Sequence, residues 1–324
     1  MLGCSGPTLR EHAVQGKTMG TTYTVKFVEQ EGLNIVIPAL KVKIDDALIE
    51  VNALMSTYDP ESELSRLNRA QDNEAFSISP ETEVVLLEAM RLGRFSDGRL
   101  DVTVGPLVNL WGFGPDKRPE LIPSDEELQA IREYVGLDKF TVADGTVTKQ
   151  HSNVYIDLST IAKGYGVDVL AELLEAQGIE NYLVEIGGEM RVKGTKLNNK
   201  PWRIAIEKPI EGKRNAQIGV VIGDNAIATS GDYRNYFEVD GKRFSHLIDP
   251  ATGFPIKHNL VSVSVIHPSS MTADGLATAL NVMGPDDAKR LAERNDLAVY
   301  MVIKEGEEFV EYASPAFDKQ VQYL

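Results

Sequence analysis

Two Asp-Gly pairs constrain the fold of this chain more than any other feature of its sequence. Asp144-Gly145 lies at the centre of the stretch from Phe140 to Thr148, and Asp240-Gly241 lies in a later region where strand signals dominate. Asp-Gly favours the tight turn that joins neighbouring antiparallel strands. The chain is therefore predicted to contain β-hairpins, and a regular alternation of parallel strands with helices is not expected.

Helical and extended patterns are mixed along the whole chain. Apolar residues recur at helical spacing from Ile44 to Met55, and Ser124 with Glu127 forms a capping-box pattern before a helix that Gly136 should stop. Further helices are predicted at Pro80–Leu92, Lys163–Gln177, Thr272–Val282 and Asp286–Arg294. Strands are predicted at Thr21–Val28, Tyr182–Ile186, Trp202–Ile206, Leu260–Ile266, Leu297–Ile303 and Phe309–Tyr312. The predicted fold class is α+β, with mostly antiparallel sheets and packed helices.

The size and charge of the chain limit its functional class. Its 324 residues allow one large domain or two that share a core, and no repeat or long linker divides them. The net charge of −15 repels phosphate backbones, which argues against nucleic acid as a partner. It does not exclude a nucleotide, because a bound metal ion can reverse the field inside one cleft. No apolar run approaches the length of a membrane-spanning helix.

The single cysteine, Cys4, excludes a disulfide within the chain. The sequence Leu2-Gly3-Cys4 resembles the end of a bacterial lipoprotein signal, in which the cysteine becomes the lipidated first residue. An ordinary N-terminal tail with an incidental cysteine is the alternative. We expect a lipid anchor on Cys4, mainly because of the family that the rest of the chain resembles.

Four segments concentrate Gly, Asp and Thr at predicted junctions between strands and helices. The first runs from Ser96 to Pro106 and leads into Leu110–Gly114. In the second, Tyr155–Tyr165, a helix begins beside free backbone N–H groups, which suits an anion such as a phosphate, and Lys163 adds positive charge. The alternative for the second segment is a strand–turn–helix junction with a hydroxyl residue as its N-cap.

The third segment, Ala228–Asn235, is followed by Ser245–Pro250. Gly231 lets the backbone approach a ligand closely, and Arg234 and His246 can meet phosphate oxygens. The alternative is a hairpin whose half-exposed histidine has only a structural role.

The fourth segment, Met271–Leu280, carries two oxygen ligands at helical spacing. Asp274 and Thr278 are four residues apart, so on a helix they project from one face. A carboxylate with a hydroxyl is a partial shell for Mg²⁺, a hard cation that keeps waters and gathers phosphate oxygens. The same two residues are equally explained as a cap and a back-bonded threonine, so the pair alone is weak evidence.

Together, these segments follow the order of one known family. The chain resembles the bacterial FAD:protein FMN transferases of the ApbE family, flavin-trafficking lipoproteins once assigned to thiamine biosynthesis. The likeness covers about residues 16 to 315 and implies a lipoprotein tail or linker at residues 1–15, followed by one domain at residues 16–324 with FAD in a cleft between two lobes. The motifs that carry it are Gly16–Thr22, Ser56–Tyr58, Gly98–Trp111, Asp157–Gly164, Glu185–Glu189, Thr229–Asn235, His246–Pro250 and Thr272–Thr278.

The resemblance implies roles for individual residues. Asp274 and Thr278 match side-chain ligands of Mg²⁺, and Thr160 matches a position that offers its backbone carbonyl to the metal. His246 matches a histidine implicated in the transfer, so His246 and Asp274 are the implied catalytic residues. The chain has Ser159-Thr160 where many relatives have Gly-Gly or Gly-Ala, a change that a carbonyl ligand tolerates. Positions that contact FAD are matched by Met19, Tyr58, Arg99, Leu100, Asp101, Asp157, Lys163 and Ile248.

The implied reaction cleaves the pyrophosphate of FAD and attaches FMN through a phosphoester to a Thr or Ser of an acceptor protein, releasing AMP. The implied acceptors are subunits of membrane redox complexes, of the sodium-pumping NADH:quinone oxidoreductase or Rnf type. The protein would then be periplasmic and held at the inner membrane only by the lipid on Cys4.

Three other functions remain open from the sequence. An FAD pyrophosphatase would use the same cleft with water as the nucleophile. A periplasmic flavin-binding protein would need the FAD contacts but not the combination of Asp274, Thr278 and His246. A purely structural lipoprotein would bind no flavin at all.

Overall fold

The computed structural model describes residues 9–30, 32–114, 122–207, 216–231, 236–239 and 242–324. The helices and strands predicted from the sequence are present, with ends that differ by a few residues. The strands are β1 (Arg10–Thr18), β2 (Thr21–Glu29), β3 (Ala75–Ser77), β4 (Phe140–Ala143), β5 (Thr146–Lys149), β6 (Tyr182–Ile186), β7 (Glu189–Lys193), β8 (Ile204–Glu207), β9 (Ala216–Val221), β10 (Ala226–Gly231), β11 (Tyr236–Val239), β12 (Lys242–Ser245), β13 (Leu260–His267), β14 (Ala298–Glu305), β15 (Glu308–Ala313) and β16 (Gln322–Tyr323). The helices are α1 (Ile37–Met55), α2 (Glu63–Arg69), α3 (Pro80–Phe95), α4 (Gly105–Leu110), α5 (Asp125–Arg132), α6 (Ala162–Ala176), α7 (Ser270–Met283), α8 (Pro285–Arg294) and α9 (Pro315–Gln320).

An eight-stranded sheet organises the molecule, in the order β1-β2-β6-β7-β10-β13-β14-β15. Every neighbouring pair in it is antiparallel, which confirms the predicted fold class. Smaller sheets are formed by β8, β9 and β16, by β3, β4 and β5, and by the β11–β12 pair. Among the described residues, no helix combines the length and the apolar character needed to cross a bilayer.

The predicted hairpin at Asp144-Gly145 is confirmed. Asp144 and Gly145 both have positive φ, 50° and 70°, as a two-residue hairpin turn of this kind requires, and the flanking strands β4 and β5 pair from Ala143 opposite Thr146. Asp240-Gly241 lies outside the described residues, although β11 and β12 on either side of it pair in antiparallel fashion.

Strand β1 was not predicted from the sequence, because only one apolar side chain in it, Val14, is buried among the exposed polar residues of an edge strand. Its register runs from Arg10 opposite Glu29 to Thr18 opposite Thr21. The boundary predicted between tail and domain, at residues 15 and 16, therefore falls inside β1, and residues 10–15 belong to the sheet.

Helix α7 lies on β10 and β13 and is covered on its other side by α3, α6 and α8, so almost its whole surface is buried. Small residues allow this close packing: a Cβ on Gly275 would lie 2.5 Å from a methyl of Leu92. Strand β13 alternates in sequence as a half-exposed strand does, yet both of its faces are buried. Its second face lies against the β8–β9–β16 sheet, and there Ser264 shares a hydrogen bond of 2.7 Å with Thr229.

Helices α6 and α7 cap each other. The Gly164 N–H in the first turn of α6 donates to Asp274 Oδ2 of α7 at 3.0 Å, while the Ser270 and Met271 N–H groups in the first turn of α7 donate to the carboxylate of Asp168 of α6, each at 3.0 Å. These N–H groups have no partner within their own helix, because they precede its first complete turn. This exchange of hydrogen bonds holds the two helices antiparallel. It places residue 164 beside residue 274 and residue 168 beside residue 270.

A group of buried apolar residues, separate from those around α7, holds the segment from residue 247 to 256 against α4 and α5. Trp111 lies at its centre and donates from Nε1 to the Gly253 carbonyl at 2.9 Å, and Arg132 donates to the Ala251 carbonyl at 2.7 Å. Trp111 also stacks on Phe244, at the start of the segment that leads to residue 247. One member of this group, Ile248, lines the cleft described below; the buried members are Leu107, Leu110, Trp111, Leu128, Phe244 and Ile248.

The contact between α6 and α7 requires glycine at residue 164. A Cβ there would lie 2.3 Å from the Ser270 carbonyl oxygen, which is backbone and cannot move aside. We therefore expect Gly164→Ala to lower the free energy of unfolding by about 2–3 kcal/mol through overpacking. Chemical denaturation monitored by circular dichroism measures this change.

Gly166→Ala is the matched control in the same helix. A Cβ at residue 166 would meet only the mobile ends of Ile186 and Met19, at 3.3 and 3.5 Å, and alanine favours the helix. We expect a change within about 1 kcal/mol of zero for this variant. Equal losses in both variants would show that the close approach of α6 and α7 is not what requires Gly164.

Candidate active site

Ten of the twelve site residues predicted from the sequence line a single cleft with a volume of about 330 Å³. The cleft lies where the first turn of α6, the middle of α7, the end of β10 and the segment after β12 meet. The structure therefore brings together residues that are up to 179 positions apart in the chain. They are Arg99, Leu100, Asp101, Asp157, Thr160, Lys163, His246, Ile248, Asp274 and Thr278.

Met19 and Tyr58 lie outside the lining of this cleft. Met19 has a φ of 47° in the turn between β1 and β2, and its side chain lies near Gly166 of α6. Tyr58 follows α1, and its side chain is 77% exposed. Their predicted contact with FAD remains a prediction.

Two oxygens of Thr160 are left without hydrogen bonds where α6 begins. No backbone N–H of the described residues donates to the Thr160 carbonyl, because the Gly164 N–H is taken by Asp274. The Thr160 hydroxyl is buried and also has no partner among the described residues. Buried polar groups are normally paired, so these oxygens are available for a ligand.

A backbone N–H of α6 orients the carboxylate of Asp274. One oxygen accepts from Gly164, and the other receives no hydrogen bond from any described residue. Burial raises the pKa of this carboxyl to about 7, against the lowering effect of the Lys163 ammonium. Thr278, one helical turn later, is also buried and lines the same cleft.

Lys163 lies between two carboxylates. Its Nζ is 2.6 Å from Glu189 Oε1, while the second oxygen, Oε2, is buried with no donor among the described residues. Burial opposes the charge of Lys163, but the nearby carboxylates of Asp274 and Glu189 outweigh that effect and raise the pKa of Lys163.

Glu189 was missed as a site residue, although it closes the predicted motif Glu185–Glu189. The sequence feature that could have indicated Glu189 is the Gly187-Gly188 pair, whose positive φ values, 62° and 114°, turn the chain from β6 into β7. This turn places Glu189 at the start of β7, in the lining of the cleft.

The donors present fit a hard divalent cation. A carboxylate oxygen of Asp274, the Thr278 hydroxyl and the Thr160 carbonyl are all oxygens, which is the ligand type that Mg²⁺ prefers. Among the described residues there is no group of three His, Cys, Asp or Glu side chains suited to a metal ion, so a softer, all-side-chain site is not formed there. A cation that keeps several waters and takes phosphate oxygens needs only such a partial protein shell.

An ion pair joins two segments that line the cleft. Arg99 Nη1 lies 2.8 Å from Asp249 Oδ1, and both residues belong to segments that line the cleft. Asp249 also accepts the Ala251 N–H at 3.0 Å, so it holds its own turn while it orients the guanidinium. Nearby, burial raises the pKa of Asp101, and two hydrogen bonds from Thr103 partly offset that rise.

Two hydrogen bonds with backbone groups fix the position of Asp157. Its N–H donates to the Val102 carbonyl at 2.7 Å, and its carboxylate accepts the Ser159 N–H at 2.8 Å. The amide of Asn68 pairs with both the N–H and the carbonyl of Ile156, as a neighbouring strand would. This pairing fixes the segment that carries Asp157 and Thr160 into the cleft.

His246 follows β12, with the ring of Phe113 edge-on at 6.4 Å between centroids. The side chain is partly buried and faces the same cleft as Lys163 and Asp274. The lining also includes Thr229, Ser230 and Gly231, at the end of β10. Arg234 and Asn235, predicted to belong to this segment, lie outside the described residues.

Comparison with known proteins places this arrangement in one family. The model of the ApbE family matches residues 19–301. The FAD:protein FMN transferase of Vibrio cholerae is 53% identical over 317 residues, which cover 98% of this chain and 94% of that protein. The protein of the same name from Escherichia coli is 44% identical over 94% of this chain and 87% of its own length.

Solved structures agree with the sequence relatives. The flavin transferase ApbE from Vibrio cholerae superposes with a TM-score of 0.90 at 50% identity, covering 97% of this chain and all of that one. The apo form of the flavinyl transferase ApbE from Pseudomonas stutzeri has a TM-score of 0.90 at 40% identity, covering 96% of this chain and 97% of its own. The chain belongs to the ApbE family, as its motifs predicted.

The position of Lys163 between Asp274 and Glu189 leads to a prediction about stability and pH. In Lys163→Met the carboxylates of Asp274 and Glu189 stay buried without a cation, so the pKa of Asp274 rises further above that of the unfolded chain. The folded state then binds more protons, and the variant loses stability as pH increases. We expect a deficit of about 2 kcal/mol near pH 8, between the values for exposed and buried ion pairs, and a smaller deficit near pH 5.

Thermal unfolding of Lys163→Met and of the matched double variant Lys163→Met/Glu189→Gln measures this effect. Removing the second charge should restore part of the stability and flatten its pH dependence. A deficit that is the same at both pH values would contradict the proposed electrostatic origin.

Proposed function

We propose that this protein transfers FMN from FAD to a threonine or serine of an acceptor protein, using Mg²⁺ and releasing AMP. The observation that carries the proposal is the cleft itself. It combines the oxygen donors of Thr160, Asp274 and Thr278 with the cationic side chains of Lys163 and Arg99 in a chain 53% identical to a named FAD:protein FMN transferase. Cleavage of a phosphoanhydride needs this combination, because two adjacent phosphates must be neutralised while a nucleophile is aligned.

In the proposed reaction one phosphorus–oxygen bond forms as another breaks. The acceptor's hydroxyl oxygen attacks the phosphorus on the FMN side, the bond from that phosphorus to the bridging oxygen breaks, and AMP leaves with the bridging oxygen. The hydroxyl proton passes to a base or to a phosphate oxygen. Mg²⁺, when bound, supplies positive charge that stabilises the pyrophosphate and the departing phosphate.

The chain's own residues prepare the cleft for this charge. Asp274, held by Gly164, presents one free carboxylate oxygen next to the Thr278 hydroxyl and the Thr160 carbonyl. Lys163, with its pKa raised, stays protonated at neutral pH and meets phosphate oxygens from the first turn of α6. Arg99 is kept oriented by Asp249 and adds a second fixed positive charge.

His246 is the proposed proton acceptor for the hydroxyl of the acceptor protein. It lines the cleft just before the segment that Trp111 and Arg132 hold through the Gly253 and Ala251 carbonyls. A neutral imidazole within reach of the hydroxyl takes its proton as the bond to phosphorus forms. Leu100, Asp101, Asp157 and Ile248 shape the remaining lining and are proposed to contact FAD, together with Met19 and Tyr58.

The cellular setting is also part of the proposal. We infer from Leu2-Gly3-Cys4 that the protein is a periplasmic lipoprotein held at the inner membrane through Cys4. Its acceptors are proposed to be subunits of membrane redox complexes, of the sodium-pumping NADH:quinone oxidoreductase or Rnf type.

The intact mass of an acceptor domain tests the reaction. After incubation with FAD and Mg²⁺, we expect a mass increase equal to one attached FMN, together with free AMP. EDTA should abolish the increase. Asp274→Asn should lower the transfer rate by about a hundredfold or more, because the free carboxylate oxygen loses its charge while an amide oxygen still accepts from Gly164.

Thr278→Ala is the matched variant without a change of charge, and we expect it to lower the transfer rate less than Asp274→Asn does. Free FMN with AMP and no change in the acceptor mass would replace transfer by hydrolysis. Unchanged FAD in the presence of a competent acceptor would point to a flavin carrier. Near-normal transfer by Asp274→Asn would remove Asp274 from the metal site.

The raised pKa of Asp274 leads to a prediction about metal binding. Only the ionised carboxylate binds Mg²⁺, so the affinity should rise with pH up to about 7 and then level off. Below that value the affinity should fall by about tenfold per pH unit, because the ionised fraction falls at that rate. Isothermal titration calorimetry of the protein with Mg²⁺ measures this dependence.

Thr278→Val provides the control for the pH experiment. It removes a neutral ligand, so the affinity should be lower at every pH while the midpoint stays the same. A midpoint near the ordinary pKa of aspartate would contradict the effect of burial on Asp274.

A further inference from the structure

Four cationic side chains gather at one end of the large sheet. Lys26, Lys196, Lys200 and Arg203, named here the basic cluster, line a shallow cavity of about 380 Å³. Glu11 is the one acidic residue among the described residues of that lining. Because the whole chain carries a net charge of −15, this local excess of positive charge is opposite to the rest of the surface.

The turn after β7 holds the basic cluster in a defined shape. Lys196 N–H donates to the Lys200 carbonyl at 2.7 Å, and Trp202 Nε1 donates to the Lys193 carbonyl at 3.0 Å. The Lys196 ammonium lies 5.6 Å from the centre of the Trp202 ring and 3.7 Å from Glu11. Lys26, Lys200 and Arg203 have no ion-pair partner among the described residues, and Lys200 and Arg203 are exposed.

The basic cluster and the cleft lie at opposite ends of the same strands. Strand β7 begins at Glu189, which lines the cleft, and ends at Lys193, just before the basic cluster. The four steps between them span about 13 Å of strand. On β2, Lys26 pairs with Leu183 next to the cluster, whereas Tyr23 pairs with Ile186 at the cleft end.

The N-terminal end of β1 lies beside the basic cluster. Ala13 of β1 pairs with Lys26, and Glu11 contacts Lys196. Five residue steps separate Cys4 from Leu9, the first described residue, and a chain of that length spans at most about 18 Å. A lipid on Cys4 would therefore hold this end of the sheet close to the headgroups.

We propose that the basic cluster is a contact surface for anionic phospholipid headgroups, and that it turns the catalytic cleft away from the bilayer. Anionic lipids attract clustered Lys and Arg near the surface and repel the acidic remainder of the chain, and both effects act within about one Debye length. The orientation with the basic cluster toward the lipids is thus the favoured one. It leaves the cleft open to acceptor segments that project from the membrane.

The orientation rests on an anchor at Cys4, as in the proposed function, but its test does not need native lipidation. Because Cys4 is the single cysteine, it can be coupled to a maleimide lipid in vesicles of phosphatidylethanolamine and phosphatidylglycerol. The chain also has two tryptophans: Trp202 lines the same cavity as the basic cluster, and Trp111 is buried in the apolar group whose member Ile248 lines the cleft. Energy transfer from each to a dansyl headgroup reports which end faces the lipid.

Trp111→Phe leaves Trp202 as the energy donor, and Trp202→Phe leaves Trp111. We expect transfer from Trp202 to exceed transfer from Trp111 by roughly twofold or more, since the two ends are separated by about 13 Å or more of strand. On phosphatidylcholine vesicles, which lack anionic headgroups, the difference should shrink. Equal transfer from both tryptophans, or more from Trp111, would overturn the proposal.

Charge-reversal variants separate the effect of the basic cluster on orientation from the effect of the chain's net charge. Lys26→Glu/Lys200→Glu/Arg203→Glu should abolish the difference between the tryptophans. The control Lys43→Glu/Lys304→Glu/Lys319→Glu makes the same change in net charge at exposed positions outside the basic cluster and should retain it. Loss in both variants would assign the effect to net charge and overturn the proposal.

FMN transfer in solution, measured on the same variants, keeps this inference distinct from the proposed function. Both triple variants should transfer FMN at the unmodified rate, because neither set of residues lines the cleft. A rate lowered only in the basic-cluster variant would assign the surface to the acceptor protein instead of the membrane. Absence of transfer by the unmodified chain would contradict the proposed function while leaving the vesicle result valid.

Discussion

The reciprocal capping of α6 and α7 is the interaction on which the rest of this structure depends. Asp168 accepts the first N–H groups of α7, and Asp274 accepts an N–H of the first turn of α6. Each carboxylate gains from the positive end of the partner helix while it fixes that helix in position. The same exchange leaves the Thr160 carbonyl without a backbone donor among the described residues, and Thr160, Asp274 and Thr278 line the same cleft, so the contact that joins the helices also assembles its oxygen donors.

In this arrangement the buried charge proposed to bind a cation also lowers the stability of the folded chain. Asp274 is almost fully buried, and its carboxyl titrates near neutrality, so without a cation it costs folding free energy at neutral pH. Lys163 offsets part of that cost, and a divalent ion would offset more. Glu189 extends the group to three charges, and its own Oε2 stays buried without a donor among the described residues.

Local sequence signals predicted most of the secondary structure, and the order of the motifs predicted ten residues that share one cleft. The Asp144-Gly145 turn and the Ser124–Glu127 capping box were predictable because each depends on a few adjacent residues. Strand β1 was not, since its place in the sheet comes from backbone pairing with β2, and backbone hydrogen bonds leave no mark on side-chain periodicity. Glu189 was missed for a related reason: its partner Lys163 is distant in sequence, and only the fold brings the two together.

The sequence by itself determined the α+β class, the family and the residue types able to hold a cation and phosphates, because these depend on local pattern and on motif order. The tertiary structure decided which of those residues share a cleft, and it left Met19 and Tyr58 outside the lining. It also decided that Asp274 is buried against a helix terminus and that four cationic side chains of an acidic chain gather at the end of the sheet opposite the cleft. Burial, pKa and the separation of surfaces depend on contacts between distant segments, and those contacts exist only once the chain is folded.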